Sequence, residues 1–387
     1  MYMILEDLKT IWPEWKIVGT YIGKGSFSTV YHAVREDDFV KSHAAIKVIS
    51  IPTRPDEIDI FSSDGMGLFE TKTYLQSIVD QFIQEIKLME CLKGTQNVVS
   101  VEDYQVVENT DGIGWTIYIR MELLTPLIQY FENKQIVEKE VIRLGCDICS
   151  ALELCSKLNI IHRDIKPGNI LVNDFGHFKL GDFGISRTMA NITFGFTQNR
   201  GTPDYMAPEV ISSPYYDARA DIYSLGLVLY QLLNHKQLPF WDNDKQYLSH
   251  PNRYLAYSRR ISGEPLPSPC QASPAMVEVI LRACAFRPED RFATATEFKQ
   301  ALEAVNNEIA PANKPTLPLE TVELQLSQTI LKEGNNEASP LNISNWEYSD
   351  SHPSEKHFNF NTGIWIRLGI ILFELIIIIF LYLFFFI

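Results

Sequence analysis

Short runs rich in β-branched and aromatic residues, Ile17–Ile22, Thr29–Val34 and Ala44–Ile49, predict three strands near the start of the chain. A helix is expected around Asp80–Leu92, with further strands through Leu123. From Glu138 onward the apolar positions take helical spacing, as in Glu138–Leu158, Asp221–Leu233 and Pro274–Ala285. A strand-rich lobe followed by a helix-rich one is an α+β arrangement, and a cleft between lobes is a common place for a ligand.

The globular pattern ends near residue 303. Over residues 304–362, Pro, Asn, Ser, Thr and Glu alternate with isolated apolar residues. That composition predicts a disordered linker, with only a weak amphipathic helical pattern at Glu320–Leu331. The last stretch, Leu368–Ile387, is almost wholly Ile, Leu and Phe. Twenty residues in a helix span about 30 Å, the thickness of a bilayer's hydrocarbon core. A helix buried in a globular core would not normally be apolar on every face, so a transmembrane helix is expected over 366–387.

The formal net charge of −14 excludes a sequence-blind nucleic-acid binder, which needs a basic face. It also disfavours attraction to anionic lipid by charge, so membrane contact has to be hydrophobic. Cys146 and Cys149 form a C-x-x-C, but they sit inside a helical pattern without a second pair or neighbouring His ligands. They read as two helix thiols. The start of the chain, from Met1 to Asp7, lacks the basic and long apolar segments of a secretory signal, so the globular part is expected in a reducing cytosol.

The chemistry concentrates in His162-Arg163-Asp164-Ile165-Lys166-Pro167-Gly168-Asn169, followed by Asp182-Phe183-Gly184 and later Ala207-Pro208-Glu209. Phosphoryl transfer asks a protein for positioning and charge neutralisation. A carboxylate such as Asp164 can take the acceptor hydroxyl's proton, and Lys166 can meet the transferring phosphate. Asn169 and Asp182 are hard oxygen ligands suited to Mg²⁺, or to Mn²⁺ in its place. In this order and spacing the motifs resemble the eukaryotic-type (Hanks-type) Ser/Thr protein kinase family over roughly residues 15–303. The resemblance implies a bilobal fold, with a β-rich lobe at about 15–122 and a helical lobe at about 125–303. It also implies ATP as phosphate donor and proteins bearing Ser or Thr as acceptors.

By the same resemblance, Ile22-Gly23-Lys24-Gly25-Ser26-Phe27-Ser28-Thr29-Val30 is the glycine-rich loop over the ATP phosphates, with Ser28 where the family usually has a third glycine. Lys47, ending Ala45-Ile46-Lys47, should bridge the phosphates to Glu85 on the following helix. Val30, Ala45 and Leu171 should sandwich the adenine, with Met121 behind it and Glu122, Leu123 and Leu124 as the hinge. The connection from Ser50 to about Val79 is longer than the family usually has, and its sequence assigns it no function. Lys166 and the segment Gly201-Thr202-Pro203-Asp204-Tyr205-Met206-Ala207-Pro208-Glu209 are of the Ser/Thr-specific type, with Thr202 expected to bond Asp164 and Lys166. That segment argues against a small-molecule kinase. Lys47, Asp164, Asn169 and Asp182 are all present, which argues against a membrane-anchored pseudokinase scaffold. Asp221 should brace the catalytic loop, and Arg291 should form a buried ion pair with Glu209.

Arg163 beside Asp164 goes, in this family, with control by phosphorylation of the loop that follows. Thr197 is the first expected autophosphorylation site and Thr193 the next, with Ser186 and Thr188 nearby. A phosphate there could pair with Arg163 and Arg187. The whole pattern is most similar to bacterial membrane-anchored Ser/Thr kinases, with a cytosolic kinase domain on a single C-terminal span in the plasma membrane. Arg367 and Trp365 precede that span as a cytosolic charge and an interfacial ring. Glu374 lies within it and either pairs, protonated, with a second helix in a homodimer or sits shallow enough to reach water.

Overall fold

In the computed structural model the chain opens with a helix, α1 (Tyr2–Ile11), ahead of the first strand predicted from sequence. The structure describes residues 2–25, 28–37, 39–54, 56–63, 65–109, 113–183, 204–212, 216–241 and 250–309. All of them lie in the first of two units, Met1–Asn313, the second being Lys314–Ile387.

The strands β1 (Lys16–Lys24), β2 (Ser28–Glu36) and β3 (Lys41–Ile51) form an antiparallel meander. Two helices follow, α2 (Asp56–Ser63) and α3 (Leu68–Cys91), before β4 (Val101–Glu108) and β5 (Trp115–Glu122) close the sheet in the order β1-β2-β3-β5-β4. Ala44 to Ile49 is buried on both faces of β3. With side chains alternating across a strand, Ala44, Ile46 and Val48 meet Leu8, Trp12 and Trp15, while Ile49 and Ile51 join the main core with α3. The outer face of the sheet therefore carries its own small core, which α1 completes.

The connection expected between Ser50 and Val79 is itself structured. It folds into α2 and the first half of α3, which begins at Leu68 rather than near Asp80. The buried residues Thr71, Leu75, Ile78, Val79, Phe82, Ile86 and Met89 keep one helical stripe throughout. Glu70 Oε2 accepts from the Gly67 N–H at 2.9 Å and so caps the first turn. The Asp, Ser and Gly residues before it and the exposed Leu68 and Phe69 hide this stripe in a one-dimensional reading.

Past β5 the chain forms β6 (Thr125–Pro126), the short α4 (Leu127–Tyr130) and the long α5 (Glu138–Lys157). A small sheet, β6 with β7 (Ile170–Val172) and β8 (Phe178–Leu180), carries the loop residues between them. The helical lobe is completed by α6 (Glu209–Ser212), α7 (Arg219–Leu232), α8 (His250–Ile261), α9 (Pro274–Ala283) and α10 (Ala295–Ile309). The last helix runs on past residue 303, where the linker was expected to begin. α7 is buried on nearly every face, and at Gly226 a Cβ would meet Ala283 Cβ at 2.9 Å and Cys284 Sγ at 2.7 Å. Cys146 and Cys149 lie on α5 as free thiols, and burial pushes the Cys146 thiol up to about 11.

Among the described residues no helix is long and apolar enough to cross a membrane. The expected span over 366–387, the Glu320–Leu331 pattern and the linker beyond residue 309 lie outside the described residues.

Candidate active site

The loop between α5 and β7 is held from below by one buried carboxylate. Asp221, 2% exposed on α7, accepts the backbone N–H of His162 at 2.7 Å and of Arg163 at 2.8 Å. Arg163 has φ of 69°, a left-handed conformation unusual for a residue with a side chain. The bond to Asp221 holds that turn in place, and the Arg163 guanidinium lies 5.7 Å over the Tyr216 ring. His162 is fully buried, and its Nε2 lies 3.1 Å from the Gly181 carbonyl while Nδ1 faces the Asp164 N–H at 3.4 Å. A carbonyl can only accept, so Nε2 carries the proton and Nδ1 is the acceptor. Burial lowers the imidazole's pKa against the pull of Asp221 and Asp164, in keeping with a neutral ring.

Above this base the catalytic candidates converge. Lys166 Nζ lies 2.7 Å from Asp164 Oδ2, and Asn169 Nδ2 donates to the same oxygen at 2.8 Å and to the Asp164 carbonyl at 2.7 Å. Two donors on one oxygen fix the rotamer of the carboxylate. The other predicted ligand, Asp182, follows β8 with φ of 58° and meets Lys47 Nζ at 2.5 Å. Lys47 is the one charged residue in the buried run Ala44–Ile49 of β3, its side chain 7% exposed against 36% for Asp182. Burial works to raise the Asp182 carboxyl, but the Lys47 charge and hydrogen bond outweigh it, and the group stays below its ordinary value.

The donor set fits a divalent cation. Asn169 spends its amide N–H groups on Asp164, which leaves its carbonyl oxygen as the free ligand atom, and Asp182 contributes an ionised carboxylate. Both are hard oxygens, the type that Mg²⁺ or Mn²⁺ takes.

The sheet register sets the remaining candidates. Val30 lies opposite Lys47, and Ala45 lies opposite Met121. Gly23 faces Val30 across the β1–β2 pair, where a Cβ would make only an ordinary contact at 3.7 Å from Val30 Cβ. Ile22, Lys24, Gly25 and Ser28 lie along the β1–β2 turn, whereas Ser26 and Phe27 are outside the described residues. Leu171 lies on β7 opposite Lys179, and Leu123 and Leu124 join β5 to β6.

Two placements depart from the expected arrangement. Lys47 makes its ion pair with Asp182 and not with Glu85, which lies half-buried on α3. Buried ammonium needs a carboxylate close by, and the Asp182 backbone conformation delivers one from β8. Glu122, expected only as part of the hinge, turns its carboxylate to Lys179 Nζ at 2.7 and 2.9 Å and to the Ser100 N–H at 2.7 Å. Lys179 was not anticipated. Its signal is a charged residue in the middle of a three-residue strand, Phe178–Leu180, with every side chain buried. The pair ties the end of β5 to β8, beside the backbone bonds of Asn97 and Val99 to Leu180.

Further out, the Arg291 guanidinium takes both carboxylate oxygens of Glu209, at 2.7 and 2.8 Å, with its side chain fully buried. Its remaining N–H groups reach the carbonyls of Ala285, Arg219 and Phe286, so all five donors are used. Gly184, the expected phosphorylation sites Ser186, Thr188, Thr193 and Thr197, Arg187 and the Gly201-Thr202-Pro203 end of the docking segment lie outside the described residues.

Comparison with known proteins agrees with this geometry. The family model described as protein kinase domain matches residues 17–304. The chain is 30% identical over 308 residues to the serine/threonine-protein kinase Pkn1 of Myxococcus xanthus, covering 73% of this chain and 37% of that protein. It is 32% identical over 211 residues to PknB of Mycobacterium tuberculosis, covering 53% of this chain and 30% of that one. A third relative, PknK of Mycobacterium bovis, is 28% identical over 286 residues, covering 73% and 23%. The chain thus spans little more than a third, at most, of the length of these curated relatives.

Proposed function

This chain belongs to the protein kinase family, and we propose that it transfers the γ-phosphate of ATP to Ser and Thr hydroxyls of proteins. The observation that carries the reading is Asp164, whose carboxylate is held by Lys166 and Asn169 in one orientation on a loop braced by Asp221. Asp164 orients the acceptor hydroxyl and takes its proton. Lys166 stands within 2.7 Å of it and can meet the negative charge of the moving phosphate. Asn169 and Asp182 would hold Mg²⁺ or Mn²⁺, which when bound would supply positive charge against the phosphates. Lys47 reaches Asp182 from the buried strand and brings its ammonium to the phosphate side of the cleft. The rival reading as a pseudokinase scaffold would go with loss of Lys47, Asp164 or Asp182, and none is lost.

The test is transfer of labelled phosphate from ATP to a general Ser/Thr acceptor by the full chain, with Asp164→Asn alongside. The parent is expected to transfer, and the variant to lose at least about 100-fold, as for a lost catalytic base. No transfer by the parent, or an equal rate in the variant, overturns the reading.

Two finer features go with it. The enzyme is tethered to a membrane through 366–387, on the strength of that segment's length and apolar composition. Membrane fractionation of the chain with and without these residues tests this, and loss of pelleting on truncation is expected. It also phosphorylates its own activation loop, first at Thr197 and then Thr193, possession of Arg163 and Arg187 being the support. Mass spectrometry of purified protein, with Asp164→Asn as control, decides that; full activity without loop phosphate rejects it.

A further inference from the structure

We propose that the protein selects substrates carrying a large apolar side chain near the acceptor Ser or Thr, and that the chain receives it in a pocket beside Lys166. The inference rests on the kinase reading above and adds the sequence class of the substrate. The pocket has a volume of about 270 Å³ and opens next to the catalytic loop, with Lys166, Pro167 and Gly168 in its wall. Its volume falls just under the range of pockets for drug-sized ligands, about 300–1,000 Å³, which suits one side chain rather than a free metabolite.

Its floor is apolar. Leu127 and Phe131 from α4 and the turn after it are each 1% exposed, and Leu232 at the end of α7 is 7% exposed. Ile128 stands at the rim with 67% of its surface open, an exposed apolar residue beside a catalytic loop.

The polar side chains of the wall are each hydrogen-bonded within the protein. The Tyr205 hydroxyl donates to Gln231 Oε1 at 2.6 Å, and Gln231 Nε2 donates to the Lys236 carbonyl at 3.0 Å. Lys236 Nζ donates to the Phe131 carbonyl at 2.9 Å, and Lys166 Nζ is on Asp164. What these side chains turn to the pocket is a ring and aliphatic stems. A polar guest would have to compete with these internal bonds, whereas an apolar one removes open apolar surface from water.

Charge narrows the guest further. The two charged residues among the described lining residues are both lysines, and the carboxylate beside them, Asp164, is already taken by Lys166. An arginine or lysine of the substrate would therefore meet two like charges and have to compete with Lys166 for Asp164. Lys166 fixes the distance to chemistry, because it touches both this pocket and Asp164. The guest residue accordingly belongs to the same extended segment as the acceptor, a few positions away.

The test is a peptide set with one Ser or Thr and Leu, Phe, Ala, Glu or Arg at each of the five positions on either side. It is assayed with the full chain and with Ile128→Glu and Leu232→Ala. One position is expected to prefer Leu or Phe over Ala by about 10- to 100-fold in kcat/KM, chiefly through KM, and to disfavour Arg. Ile128→Glu should abolish that preference and raise the rate with Arg there, while leaving the all-Ala peptide's kcat unchanged. That unchanged kcat shows the variant folded. A parent that phosphorylates all peptides alike overturns the inference and leaves the kinase reading intact. An apolar preference unmoved by both substitutions also overturns it, since the pocket would not be its source. A parent that phosphorylates no peptide and no protein counts against the kinase reading itself.

Discussion

The ammonium of Lys47 lies 2.5 Å from the carboxylate of Asp182, across 135 positions of sequence. One partner is almost fully buried and the other partly open. The two therefore differ in what their loss leaves behind. Asp182→Asn strands a buried ammonium and is expected to cost about 1–3 kcal/mol of stability, whereas Lys47→Met leaves a carboxylate that water can reach and costs less. Both should lower phosphotransfer by at least about 100-fold. Urea unfolding and labelled-phosphate transfer on the two variants check the order and the size.

Arg291 and Glu209 form a pair of another kind, remote from Asp164 and fully enclosed on the arginine side. Arg291→Met would leave Glu209 facing a site built for a cation. The expected loss is about 3–5 kcal/mol, read as a lower urea midpoint. Glu209→Gln should fall short of that, because the amide still accepts one of the guanidinium's hydrogen bonds. Equal losses for the two would show that the pair is not what holds this part of the lobe.

The outer face of the large sheet depends on α1 and the residues after it. Trp12 Nε1 donates to Asp103 Oδ2 at 2.7 Å, the Tyr118 hydroxyl reaches Asp7 at 2.5 Å, and the Arg120 guanidinium lies over both Trp12 and Trp15. Arg120 immediately precedes Met121 and Glu122 on β5. Trp12→Ala is expected to cost about 3–5 kcal/mol by leaving a cavity on that face. Deleting residues 1–13 should expose Ala44, Ile46 and Val48 and produce an aggregation-prone chain; light scattering at matched concentration measures it.

The buried His162 predicts a pH effect with a definite sign. Its folded pKa lies below the ordinary 6.5, so below that pH the unfolded chain binds the extra proton first. The stability this residue contributes is complete above about pH 6.5 and is lost as the pH falls from there toward the folded value. Imidazole ¹⁵N shifts at pH 6 should report a neutral ring protonated at Nε2. A doubly protonated ring at that pH would contradict the assignment.

Part of the active site was legible in the chain because its parts are close in sequence. Asp164, Lys166 and Asn169 fall within six consecutive residues, and the geometry joining them is made by one loop. The strands around Lys47 and Met121 also showed in composition, since β-branched and aromatic residues fill them. α1 did not show, because its value to the fold lies in covering a sheet face that a sequence pattern assigns to solvent. The first half of α3 was hidden for a related reason: only the packed structure tells which apolar residues of that stretch point inward.

What the sequence by itself determined was the identity and spacing of the reacting groups, the α+β order of elements and the membership of a kinase lobe pair. Those follow from local chemistry, in which neighbours along the chain stay neighbours in space. Tertiary structure alone decided which charge answers which. It set Lys47 on Asp182 instead of Glu85, turned Glu122 to Lys179, and built an apolar pocket against Lys166 from four separate elements. Buried charges take the nearest carboxylate that backbone geometry delivers, and that distance is a property of the folded lobes, not of the chain.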